Sequence, residues 1–208
     1  MIELAEVKER VTSRSLTEPI IDAHRAAAKL WKYLVENKPE YVIPLDATAR
    51  ANFIQPHICF EIAKRVDGII EGVRSTDVLG FFALHVDNDI LMRFKYVGHG
   101  RPHNVQTDQQ KLLARQTYSP EMVMALTGDP TFVPPTVLTV GYTLDGADIG
   151  RIEIRRDCRG HLPWSFDLYG GAAVVEPIIM PGLEDTAKPA TVTSTRTVAV
   201  PEVDADQA

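Results

Sequence analysis

The chain has 208 residues, of which 45 % are hydrophobic and 24 % charged, an ordinary globular composition for one domain or a small pair. Its 22 Lys and Arg against 28 Asp and Glu give a net charge of −6, which excludes a protein that coats nucleic acid through bulk positive charge. No run approaches 18 apolar residues, residues 1–10 lack a secretory pattern, and the two cysteines, Cys59 and Cys158, form no CxxC pair, so a cytoplasmic protein that does not meet the membrane is expected.

The first third predicts helices. Residues 2–12 place Leu4, Val7 and Val11 at helical spacing. Thr17-Glu18-Pro19 reads as a helix start with Thr17 as cap, and Ile20, Ala23, Ala27, Leu30, Trp31 and Leu34 carry the pattern to about Asn37, where Lys38-Pro39 ends it. A third helix starts near Asp46 or Thr48 and runs to about Val66, with Ile54, Ile58 and Ile62 towards the core and Cys59 as a buried thiol. Pro56 falls inside this helix and is expected to kink or restart it.

The period then changes. Residues 78–86 and 90–97 flank the turn Asp87-Asn88-Asp89 and predict a β-hairpin, whose second strand puts Ile90, Met92, Phe94 and Tyr96 on one face and Arg93, Lys95 and Val97 on the other. A loop, residues 98–104, leads to a capping-box helix start at Thr107 that reaches about Gln116. Strands at 136–144, 149–156 and 162–169 follow, joined by Asp145-Gly146 and residues 157–160. The expected fold is α+β: N-terminal helices packed on an antiparallel, roughly five-stranded meander sheet with one inserted helix. Residues 1–40 form an N-terminal helical segment, 41–180 an α+β core domain and 181–208 an acidic, Pro/Thr-rich tail. The tail holds five acids against Lys188 and Arg196 from residue 183 onward, which leaves a net −3 there.

The charge is unevenly distributed. Residues 93–115 carry Arg93, Lys95, Arg101, Lys111 and Arg115 against Asp108, a net of +4. Residues 151–159 carry a net of +2, and the alternation of Arg151, Glu153 and Arg155 reads as cross-paired charges on one sheet face. A phosphate site would use Arg93, Lys95, Arg101 and Arg115. A metal-independent ribonuclease also needs a base for the ribose 2′-hydroxyl and an acid for the leaving oxygen. His99 and His103 in the loop are candidates for these roles, with His57 and Glu61, four apart on the third helix, as contributors from a facing element. His24 and His85 fall among apolar residues and read as packed. Asp46 and Arg50 share a helix face and read as an ion pair. No metal or cofactor site is expected: His99 and His103 lack an acidic neighbour, and Arg93 stands where a metal-dependent nuclease of the PD-(D/E)xK kind needs an acid.

Three segments, Ala51–Ile58, Leu91–Lys95 with Asn104–Gln110 after it, and Val140–Leu144 leading to Trp164–Phe166, carry a resemblance that covers roughly residues 46–169. In their order the chain resembles an uncharacterised bacterial and phage family often encoded beside a regulator that joins a helix-turn-helix domain to an ImmA/IrrE-type metallopeptidase domain. The resemblance implies a toxin–antitoxin or phage-regulatory pair with this chain as the toxin-like component, a cognate regulator or antitoxin as partner, and RNA or another phosphate-bearing target. It transfers no catalytic residues. The alternative is a non-enzymatic antitoxin, inhibitor or adaptor working by protein–protein interaction.

Overall fold

The computed structural model describes residues 2–78, 81–98, 101–102, 112–113, 115–128, 133–158, 161–169 and 173–174. The N-terminal helices are α1 (Leu4–Ser13), α2 (Thr17–Asn37), the single turn α3 (Pro39–Val42) and α4 (Ala47–Val66). Leu16, rather than Thr17, is the N-cap of α2, and its carbonyl accepts the Ile20 amide at 3.1 Å. Lys38-Pro39 ends α2 as expected, but the proline opens α3 directly, a first-turn position where its missing N–H costs nothing. Asp46 caps α4, its carboxylate accepting from the Ala49 amide at 2.7 Å. The helix then runs unbroken through Pro56, which stands on an exposed face.

Among the described residues eight strands form the sheet: β1 (Val73–Val78), β2 (Phe81–Val86), β3 (Ile90–Gly98), β4 (Arg101–Pro102), β5 (Thr136–Asp145), β6 (Asp148–Cys158), β7 (His161–Asp167) and β8 (Ala173–Val174). Because β4 and β8 have two residues each, six strands carry it, and the α+β class stands. The order is β1-β2-β3-β5-β6-β7-β8, with β4 paired to β3. Two details differ from the expected meander. β1 is an additional edge strand, and β3 pairs β5 in parallel, Ile90 opposite Thr136 through Tyr96 opposite Tyr142. The chain between β3 and β5 therefore crosses over instead of turning back. A further helix, α5 (Pro120–Thr127), lies on this crossover, capped by Ser119 and closed by Gly128 at φ +78°. Of the helix expected at 107–116, Leu112 and Leu113 are helical and residues 103–111 lie outside the described residues.

The predicted hairpin is present as β2 and β3, joined through Asp87 and Asn88 at φ +52° and +65°, a left-handed pair that suits these residue types. The expected division of β3 also holds. Ile90, Met92 and Phe94 join Leu138, Val140, Tyr142, Ile152, Ile154, Trp164 and Phe166 in one core beneath α1, α2 and α4, which contribute Val7, Val11, Ile20, Ala27, Trp31, Ile54, Ile58 and Ile62. The N-terminal helices thus share a single core with the sheet. A smaller cluster of Ala83, Leu91, Leu113, Met122 and Val137 lies on the second face. Residues 175–208, which include the acidic tail, lie outside the described residues.

Candidate functional site

Alternation along β3 sends Arg93, Lys95 and Val97 to the second face, away from α1, α2 and α4. Two neighbouring strands add polar groups there. Thr139 of β5 receives the Arg93 Nε–H at 3.4 Å, and Gly141 lies against Val97, Arg155 and Glu153. Arg155 of β6, 1 % exposed, is held by Glu153 at 3.0 Å and Asp157 at 2.9 Å. Arg151 reaches Glu153 at 3.0 Å and Asp167 at 3.4 Å. The paired-charge reading of Arg151, Glu153 and Arg155 is therefore what the sheet contains. It leaves the three carboxylates engaged by Arg151 and Arg155.

Arg93 and Lys95 lie beside this network. Arg93 is 2 % exposed, and burial lowers its guanidinium, with Asp157 opposing. Lys95 is half-buried; burial lowers its ammonium first and the Arg93 guanidinium lowers it further. Among the described residues the only group favouring its charged form is the Cys59 thiol, and none of its charged neighbours there is a carboxylate. That thiol is itself pushed up to about 12 by burial, as expected of a packed cysteine, so it gives no counter-charge near neutral pH.

The other predicted site residues are distributed elsewhere. Arg115 is exposed in the turn after Leu113, Arg101 belongs to the two-residue β4, and His99 and His103 lie outside the described residues. His57 and Glu61 are on α4, whose Ile54, Ile58 and Ile62 pack on the first face with Met92 and Phe94. The sheet therefore stands between them and Arg93. His57 stacks near Phe53, ring centroids 4.9 Å apart, and Phe53 in turn meets Trp31. Glu61 pairs with Arg65 and with Lys64 at 3.2 Å, and those hydrogen bonds hold its carboxyl below the ordinary range. Such a carboxylate is ionised near neutral pH and has no proton to donate as a general acid. Asp46 and Arg50 do not pair by side chain: Asp46 is used as a cap, and Arg50 donates to the Gly146 carbonyl and lies over Trp31. His24 and His85 are packed, 0 % and 2 % exposed. Among the described residues no group of three or more His, Cys, Asp or Glu side chains is arranged to hold a metal ion, and no helix is long and apolar enough to cross a membrane.

Sequence reasoning passed over two features. One is an exposed apolar corner where α2 meets α3, made by Tyr33, Val35, Tyr41, Ile43 and Leu45, with Tyr41 69 % and Ile43 79 % exposed. The other is a cationic groove between α2 and the start of β6, described below. Comparison with protein-family models, with curated proteins and with solved structures returns no match.

Proposed function

We propose that this chain is the toxin-like component of a toxin–antitoxin or phage-regulatory pair and that it contacts RNA through its phosphates at Arg93 and Lys95. One observation supports the reading: Lys95 is half-buried beside a buried guanidinium and, among the described residues, has no carboxylate as a charged neighbour. Burial and the Arg93 guanidinium both disfavour the charged form of Lys95, and a phosphate oxygen at its ammonium would offset both. The phosphates would be positioned by Arg93 and Lys95 from the sheet, with Arg115 and Arg101 further along the chain. Hydrolysis of RNA without a metal would still need an acid and a base, and His99 and His103 remain the candidates for that pair. Neither His57 nor Glu61 takes part in this arrangement. The partner is a cognate regulator or antitoxin protein. Induced expression in a bacterial host tests the reading: growth arrest is expected, lost in Lys95→Ala and retained in Lys95→Arg. Absence of arrest in a strain that accumulates the folded protein contradicts it.

A second reading is a non-enzymatic antitoxin, inhibitor or adaptor. The exposed apolar residues Tyr33, Tyr41 and Ile43 where α2 meets α3 favour it. Exposed apolar side chains grouped along one stretch of chain fit an apolar surface on a protein partner. Under this reading the chain relieves growth arrest caused by a neighbouring gene, and Tyr41→Asp with Ile43→Asp abolishes the relief.

A further inference from the structure

A groove of about 310 Å³ runs between α2 and the β5–β6 corner. Its floor is Ala28 and Ile149, and its walls are Arg25, Lys29, Lys32, Asp148 and Tyr169. The three cations stand at i, i+4 and i+7 on one ridge of α2, so they line one side of the groove. Lys29 and Lys32 are exposed and have no acidic partner among the described residues, while Arg25 meets Asp22 at only 3.4 Å with both side chains more than half exposed. Tyr169, 45 % exposed, closes one end and carries the Arg25 guanidinium 5.7 Å from its ring centroid. Asp148 supplies the only carboxylate among the described lining residues.

A simple inorganic anion would use the lysines alone. A ligand that uses every wall has an anionic group for Lys29 and Lys32, a planar ring for Tyr169, and hydroxyl or amino donors for Asp148. The volume is at the lower end of small-molecule sites. We infer that this groove binds a phosphorylated nucleoside: phosphate on the Lys29–Lys32 ridge, base against Tyr169, and sugar or base donors towards Asp148. The site is independent of Arg93 and Lys95, because α2 packs on the first face of the sheet. The nucleotide can come free or as one unit of a single-stranded RNA.

Titration of the full chain, followed by the amide resonances of Lys29, Lys32, Ile149 and Tyr169, distinguishes these sources. Adenosine and uridine monophosphates are expected to shift these amides saturably and at least ten-fold more tightly than inorganic phosphate. Tyr169→Ala removes that advantage and leaves phosphate binding unchanged. Lys29→Glu with Lys32→Glu weakens nucleotide and phosphate alike by at least ten-fold. All three substitutions are at exposed positions, and an unchanged melting curve checks the fold. A single-stranded RNA that displaces the monophosphate marks RNA as the source, whereas one that does not marks the free nucleotide. Equal affinity for phosphate and nucleotide, no loss in Tyr169→Ala, or no shift at millimolar nucleotide overturns the inference.

Discussion

His24 is wholly buried on α2, its Nδ1–H donating to the Ile20 carbonyl at 2.7 Å and its ring set edge-on to Tyr142. Burial brings its pKa from 6.5 to about 4, against the smaller opposing effect of that carbonyl. The folded protein therefore keeps the ring neutral, while the unfolded chain takes up a proton near pH 6.5. Stability from this group is complete above that pH and is lost as pH falls towards 4, because the unfolded state binds more protons in that window. Between pH 7 and pH 5 the loss amounts to roughly 2 kcal/mol from His24 alone. Urea unfolding at both pH values should show this loss in the wild type and a smaller one in His24→Met. An unchanged pH dependence in the variant would contradict it. His85 is also lowered to about 4, by burial first and then by Arg74, and adds to the acid sensitivity that remains. The packing of both histidines is legible from the sequence, since His24 falls near the apolar face of its helix and His85 lies within an apolar strand. The depth of their burial depends on Tyr142, Phe94 and β1, which come from distant segments.

At the level of elements, α1 is clasped to the β2–β3 turn. Asp87 receives Arg14 at 2.6 Å and Arg10 at 3.3 Å, and Arg10 also reaches Asp89 at 2.8 Å. Asp87 is largely covered, with a side chain 18 % exposed, so these charged hydrogen bonds count for more than ordinary surface pairs. Asp87→Asn keeps a residue that tolerates φ +52° and removes the charge; a loss of about 1 kcal/mol is expected, with faster amide exchange in α1. Asp87→Ala should cost more, because it adds left-handed backbone strain. Within the sheet, Gly141 faces the Val97 side chain so closely that an added Cβ would approach Val97 Cγ2 to 2.5 Å. Gly141→Ala should therefore destabilise by about 1–3 kcal/mol in a denaturant titration, through crowding between the parallel strands β3 and β5. The helix α5 has a readable start in Ser119-Pro120-Glu121 and a readable stop in Gly128. The polar sequence of β1, with Arg74, Ser75, Thr76 and Asp77 in a row, hid an edge strand that needs only one pairing neighbour.

Across the whole molecule, alternation in β3, β6 and β7 foretold which side chains enter the main core, because a half-buried strand writes its two faces into its sequence. The parallel pairing of β3 with β5 was not legible. It joins residues more than 40 apart, and no local signal distinguishes a crossover from a turn. The same limit applies to the candidate site. The basic stretch at 93–115 was visible, but the separation of Arg93 and Lys95 from His57 and Glu61 by the thickness of the sheet is a property of topology alone. So is the approach of Tyr169 to the α2 ridge of Arg25, Lys29 and Lys32. The net charge of −6 conceals these local cationic surfaces.

We propose that Lys95, beside Arg93, receives a phosphate of RNA. The most direct measurement is a titration of the full chain against labelled single-stranded RNA over a range of salt concentrations, comparing wild type, Lys95→Ala and Lys95→Arg. Binding is expected to weaken as salt rises, to fall about ten-fold or more in Lys95→Ala with the loss of about one unit of salt slope, and to be largely kept in Lys95→Arg. Binding that is absent in the wild type, or equal in wild type and Lys95→Ala at every salt concentration, would contradict it.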